Sequence, residues 1–388
     1  MPSEIHIFRG MTSPRRRVEE NMELLSAFLS SILSPLILSR ARRKLILGIA
    51  FGMAFALIFL ATGSAQSTAA QAGQNRGRQN DAPKASASAD SGELEVVRVQ
   101  GNVSLLAGAG GNITVQTGND GILLVDTGSA TMKEKVAEAL KRLSKGQVTY
   151  IVNTDDRSDH IGGNELFAET GHALAIGRAA QASVMIVAFD TILDRMSAPT
   201  GKATAVPEKA WPNDPYSSPV KTLYFNGEAV EIDHQPGTTD GNSIIVFRHS
   251  DVISTGDIFD ITQYPIIDLK NGGSLQAVIE ALNRLKVMAI PGDHQEGGTL
   301  IVPGHGRICD EADLALYLQM VTIVRDRLQD MIKKGMTLEQ IKAARPTEDF
   351  DPIYGKTKGD WTTEMFIDAA YKSLTSKPEA HAGGVSER

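Results

Sequence analysis

The sequence predicts an α/β fold, and three observations predict it. β-Branched runs of strand length alternate with helix-period segments from Leu94 to about residue 310. One of those strands, Gln147 to Val152, runs into a loop dense in acids, Asn153-Thr154-Asp155-Asp156-Arg157-Ser158-Asp159-His160-Ile161-Gly162-Gly163-Asn164. Several further strands end in short polar turns that carry glycine, and open α/β sheets hold their ligands at the carboxyl ends of strands.

Ahead of the folded region, Arg40-Ala41-Arg42-Arg43-Lys44 precedes the apolar run Leu45 to Ala61, and Gly63-Ser64-Ala65 follows it. Basic, apolar and small residues in that order form a secretory signal, with cleavage expected after Ala65. The run also sits at the short edge of a membrane span, so an uncleaved N-terminal anchor is the competing expectation. About forty residues upstream are long for such a leader: either translation starts later, or Glu23 to Ser39 adds an interfacial helix. The chain is thus expected outside the cytoplasm, periplasmic or extracellular. Residues 66–92, rich in Ala, Ser, Gln and Gly, read as a flexible linker.

The domain expected over 93–310 opens with strands at Val96 to Val99, Val103 to Leu106 and Ile113 to Val115. Gly121 to Val125 is a buried strand ending in Asp126-Thr127-Gly128, and Asp126 is expected to hold loop amides. Thr131-x-x-Glu134 has the form of a capping box for a helix with apolar residues at 132, 136, 139, 140 and 143, stopping at Gly146. After the acidic loop Asn164 is expected to cap a short helix. A strand at Ala173 to Ile176 and a helix near Arg178 to Val187 follow. Residues 188–220 carry five prolines and no clear period; Trp211 and Tyr216 are candidates there for a pocket wall, in what otherwise reads as a solvated loop. Strands follow at Thr222 to Phe225 and Ala229 to Asp233, then a hairpin of Ser243 to Phe247 with Asp251 to Thr255 that ends in Gly256-Asp257. Ser274 caps a helix, and Leu300 to Val302 enters Pro303-Gly304-His305-Gly306. A helical extension over 311–376 holds a helix at Leu314 to Ile332, a capping box at Thr337-x-x-Gln340 and a helix from Trp361-Thr362-Thr363 to Leu374; 377–388 is a loose tail.

Composition narrows the function. The 388 residues carry a net charge of −7. Residues 1–65 hold eight Lys/Arg and four Glu, so the rest of the chain stands near −11. With no basic stripe, a nucleic-acid partner is excluded and a small-molecule substrate expected. The single cysteine, Cys309, forms no disulfide within the chain and reads as a buried, inert thiol.

The turns carry a family likeness. Val125-Asp126-Thr127-Gly128, Asp159-His160-x-Gly162-Gly163-Asn164, Thr239-Asp240-Gly241-Asn242, Gly256-Asp257 and Pro303-Gly304-His305-Gly306 occur in one order, spanning roughly residues 96–310. The chain resembles the metallo-β-lactamase superfamily, whose signature is H-x-H-x-D-H followed by G-G-N. The resemblance implies an α/β sandwich of αββα type, two mixed β-sheets flanked by helices. It also implies two metal sites. The first draws on both histidines of H-x-H and a third from a later turn; here those positions read Asp155, Arg157 and Thr238, so no histidine remains. The second draws on the Asp-His pair, a late histidine and a shared aspartate; here Asp159, His160, His305 and Asp257 are all present.

Donor chemistry agrees with one retained site. Imidazole and carboxylate ligands with an open position suit a single catalytic Zn²⁺, and are compatible with Mn²⁺ or Fe²⁺. Arg157 is a permanent cation that opposes a second metal, and pairing with Asp155 or Asp156 would place it in the emptied site. The expected function is a one-metal hydrolase acting on an ester, amide, lactam or phosphoester. Asp159 would ligate and orient water, Asp155 or Asp156 would act as base, and Arg157 would bind a substrate carboxylate or an oxyanion. The alternative is a catalytically inactive relic that binds a ligand or partner, with Arg157 and Asp155 as a structural pair. His172, His234, His249 and His294 have no counterpart in the family signature; His234, beside the altered turn, is the nearest substitute for a lost ligand.

Overall fold

The computed structural model describes residues 93–171, 184–198, 206–295 and 297–376. The leader, the linker, the strand expected at Ala173 to Ile176 and the tail lie outside them. Among the described residues no helix is long and apolar enough to cross a membrane.

Two mixed sheets face each other. The first holds seven strands in sequence order: β1 Glu95–Gln100, β2 Val103–Ala107, β3 Ile113–Gly118, β4 Gly121–Val125, β5 Val148–Val152, β6 Met185–Phe189 and β7 Asp214–Tyr216. Strands β1 to β4 pair antiparallel through short turns, while β4 to β7 pair parallel, as their longer connections require. The second sheet runs β12-β11-β10-β9-β8, with β8 Val220–Phe225, β9 Glu228–His234, β10 Ser243–Phe247, β11 Val252–Ser254 and β12 Leu300–Val302. Only its β11–β12 pair is parallel.

Alternation along the strands sorts the apolar residues into layers. Val103, Leu105, Leu123, Val125 and Val152 of one sheet meet Val230, Ile232, Ile245, Phe247 and Val302 of the other in the central core. The outer face of the first sheet (Leu106, Val115, Leu124, Ile151) packs on Val136, Ala139 and Leu140 of α1, Lys133–Leu143. The outer face of the second sheet is covered by α5 Leu275–Met288, α6 Glu311–Lys333 and α9 Thr363–Thr375. The result is the αββα sandwich expected from the sequence.

Remaining helices are α2 Ser158–Ile161, α3 Asn164–Thr170, α4 Asp190–Ser197, α7 Leu338–Ala343 and α8 Asp351–Tyr354. Ser274 accepts from the Ala277 amide as the cap of α5, and Thr337 and Gln340 form their capping box. Two expected caps fail. A 3-10 turn over Ala130–Met132 precedes α1, so Met132 takes the cap position and the Thr131–Glu134 box does not form. Asn164 lies inside α3, its side chain drawn into a buried network with Thr127, Asn153 and the Ala210 carbonyl. The helix expected to reach Val187 is corrected as well: Met185–Phe189 is a strand, because Ile186, Val187 and Ala188 are buried between neighbours. The proline-rich stretch is likewise more ordered than its composition suggests, holding α4 and β7. Tyr216 is buried there and shares a hydrogen bond with Ser243, and the Trp211 indole donates to the Val206 carbonyl.

Candidate metal centre

Strand β4 ends at Asp126, whose φ of 62° puts a non-glycine residue in the left-handed region, one that Asp tolerates better than most. The turn carries its carboxylate over the acidic loop after β5. Asp126 Oδ1 accepts from the Thr154 amide at 2.8 Å, and Oδ2 from the Thr154 hydroxyl at 2.6 Å and His160 Nδ1 at 2.8 Å. The role expected for Asp126, holding a loop amide, is met, and a second one appears. An ionised carboxylate only accepts, so the proton of His160 sits on Nδ1 and the Nε2 lone pair points into the centre. Carboxylate–histidine pairs of this kind orient ligands in metal sites.

Around Nε2 the other three expected ligands converge from separate strand ends. Asp159 is in α2, Asp257 in the 3-10 turn after β11, and His305 in the turn after β12. Ligand atoms of Asp159, His160 and His305 all lie within 4.8 Å of one another. His160 Nε2 stands 3.3 Å from Asp257 Oδ2, and His305 Nε2 stands 3.5 Å from Asp257 Oδ1 and 3.1 Å from Asp159 Oδ2. His160 and Asp257 are almost fully buried, whereas Asp159 and His305 keep 28% and 21% side-chain exposure and form the open rim. Gly304 is needed here, since a Cβ would meet Asp257 Oδ1 and the Gly256 backbone.

These residues fit a cation. His160 Nε2 and Asp257 Oδ1 are buried without a hydrogen-bond partner, and buried acceptors in native proteins are rarely left so; Asp257 Oδ2 is faced by the Arg157 guanidinium. Burial disfavours the charged forms, but neighbours outweigh it in two cases. The His305 hydrogen bond, with His160 and Arg157 close by, holds the Asp159 carboxyl well below the usual range. Asp126, then Asp159, raise His160 above its ordinary value against the effect of burial and of the Arg157 charge.

The altered half of the signature does not fit a metal. Asp155 is fully buried; its carboxylate accepts from Asn242 Nδ2 at 2.8 Å, the Asp156 amide at 2.7 Å and the Thr239 hydroxyl at 3.4 Å. Thr238 donates to Asn242 Oδ1 at 2.9 Å. Asn242 thus ties two of the former ligand positions into one polar knot. Arg157 pairs with neither Asp155 nor Asp156, contrary to expectation. Its guanidinium lies against Asp257 Oδ2 and 3.9 Å from Asp159, while Asp156 is held by Arg195, which also binds Asp240. The reason is supply: Asp155 and Asp156 already have donors, and buried Asp257 has none. His234 is no substitute ligand, since it stacks on Phe189 and its Nε2 meets the Asp240 carbonyl at 2.7 Å. Cys309 is buried as expected, and burial pushes its thiol well up.

Sequence reasoning missed three contributors. Thr154 and Asn242 carry only the weak signal of polar residues in turns, and Trp361 carries none. Trp361, from the segment before α9, lines a cavity of about 260 Å³ with Arg157, Thr238, Thr239, Ile266, Ile267 and Asp268.

No curated protein matches the chain. Among solved structures, the sec-alkylsulfatase Pisa1 from Pseudomonas sp. superposes with a TM-score of 0.50 at 15% identity, over 76% of this chain and 52% of that one. The chain therefore spans about half the length of that enzyme. A metallo-beta-lactamase from Pontibacter korlensis gives a TM-score of 0.46 at 18% identity, over 59% of this chain and 99% of that one. Residues 106–308 match the metallo-beta-lactamase superfamily, and the chain belongs to it.

Proposed function

We propose that the protein is a hydrolase that works with one divalent metal held by Asp159, His160, Asp257 and His305. The observation that carries this reading is the pair of buried acceptors that no hydrogen bond meets, His160 Nε2 and Asp257 Oδ1, gathered beside Asp159 and His305. Two imidazoles and two carboxylates suit Zn²⁺ best, with Mn²⁺ and Fe²⁺ compatible. When bound, such a metal lowers the pKa of a water and polarises the oxygen of an ester, amide, lactam or phosphoester.

The chain's own residues supply the rest. Asp126 fixes the His160 tautomer. Asp159, ionised and on the open rim, orients the attacking water and accepts from it. Arg157 neutralises Asp257 in place of a second metal and offers its Nε, a donor without an acceptor, to oxygen that gains negative charge. Asp155, spent on Asn242 and Thr239, serves the loop as an acceptor.

A second reading, a metal-free binding protein, draws on the same Arg157–Asp257 contact, because a guanidinium there already compensates the buried acid. Elemental analysis of the purified chain after zinc incubation separates the two. One metal per chain is expected, abolished by His160→Ala and by His305→Ala; none, or two, overturns the one-metal reading. For location the proposal is export with cleavage after Ala65, supported by the order of residues 40–65. Intact mass of protein from the cell envelope tests it: a full-length mass in the membrane fraction favours the anchor, and a cytosolic pool refutes both.

A further inference from the structure

We infer that the cavity between Arg157 and Trp361 is the recognition pocket for a small organic anion, a carboxylate carrying one aromatic or branched aliphatic group. The inference rests on the one-metal reading for its charge balance, but the cavity is defined without it. Its walls are apolar on one side, Ile266, Ile267 and the Trp361 ring, and its inner side is shared with the metal centre through Arg157. The Trp361 wall comes from the C-terminal extension, whereas Arg157, Thr238 and Thr239 come from turns beside the centre.

Two observations point to an anion. First, two buried N–H donors lack an acceptor, Arg157 Nε and Trp361 Nε1, and both belong to side chains that line this cavity. Buried donors are rarely left without a partner, and a ligand oxygen in the cavity would supply one. Second, among the described residues the charge on Arg157 is answered only by Asp257 and Asp159. Both are proposed ligands, so a metal would share with Arg157 the carboxylates that answer its charge. Nearby acids do not replace them: Asp155 is held by Asn242 and Thr239, and Asp156 by Arg195. Asp268, the acid in the lining, accepts from the Lys270 and Asn271 amides and from Asn271 Nδ2. A planar carboxylate matches a guanidinium better than any neutral group does. The volume of about 260 Å³ leaves room for one compact apolar substituent against Ile266 and Trp361.

The chain has two tryptophans, so Trp211→Phe leaves Trp361 as the only indole reporter. Full-length Trp211→Phe protein, incubated with zinc, is titrated with phenylacetate and with uncharged phenylacetamide while Trp361 emission is followed. A saturable change with phenylacetate is expected, and at least tenfold weaker binding of phenylacetamide. Adding Arg157→Met should weaken phenylacetate at least tenfold. Ile266→Phe, at a half-buried wall position, should do the same by filling the cavity. No saturable change, equal affinity for the two probes, or unchanged affinity in Ile266→Phe overturns the pocket. Metal content is measured on the same samples: a loaded protein that ignores phenylacetate sinks the pocket alone. A protein that takes up no metal sinks the one-metal reading, while the probe comparison still decides the pocket.

Discussion

Asp126→Asn isolates one proton. In the native chain three donors, the Thr154 amide, the Thr154 hydroxyl and His160 Nδ1–H, converge on this carboxylate at 2.6–2.8 Å. Asparagine keeps one oxygen, which the Thr154 amide occupies, and presents an NH₂ to the other two groups. The threonine hydroxyl rotates and accepts. His160 adapts only by giving up its Nδ1 proton, and the imidazole proton moves to Nε2, where it points into the centre. The fold weakens: each hydrogen bond to a charged acceptor, about 1.5–3 kcal/mol, becomes a neutral one of about 0.5–1.5, so the three together lose roughly 3–4 kcal/mol. Metal affinity falls as well. Removing such an orienting partner costs about 10–100-fold, or roughly 1.4–2.8 kcal/mol of binding free energy. Competition with a chromogenic chelator gives the affinity, and ¹⁵N chemical shifts of labelled histidine give the tautomer. Unchanged zinc affinity, with Nε2 still unprotonated, would refute the argument that Asp126 sets the ligand.

Three further outcomes are expected. In metal-free protein, His160 titrates above its ordinary value of 6.5, so its contribution to stability is full below that value and is lost as pH rises through the folded-state value. Zinc affinity should climb over the same window, because the metal displaces that proton. Thermal melting against pH with and without chelator, compared with His160→Gln, checks both signs. Asp155→Ala should destabilise the chain by about 2–4 kcal/mol in a urea titration, since it strands the donors of Asn242, Thr239 and the Asp156 amide, yet leave one metal per chain. Gly304→Ala should cost about 1–3 kcal/mol by the same titration and weaken zinc binding, because its methyl meets Asp257 Oδ1 and the Gly256 backbone.

What could be read from the sequence was what local chemistry decides. The loop after β5, the Ser274 cap, the Thr337–Gln340 box and the glycine turns all declare themselves within a few residues. The four proposed ligands were legible because each ends a strand in a recognisable turn. The errors share a different cause. Asn164 has the form of a cap, but Thr127 and Asn153 offer it buried partners, and a buried amide goes where its donors and acceptors are satisfied. Thr131 has the form of a cap too, but the chain enters α1 through a 3-10 turn. Sequence proximity points Arg157 to Asp155 or Asp156; its partner is Asp257, brought in by a strand of the other sheet. Trp361 was invisible because nothing near it in the chain says which cavity the C-terminal segment closes.

The Arg157–Asp257 contact also bears on how the folded chain tolerates an acid at its centre. A buried carboxylate beside another acid repels folding until some cation arrives. Where that cation is an ion from the medium, assembly waits on its concentration. Here the positive charge is carried by the same polypeptide on the adjoining loop, so buried Asp257 has a counter-charge without any ion from the medium. For the metal proposed here, the rim formed by Asp159 and His305 is the exposed approach to the centre.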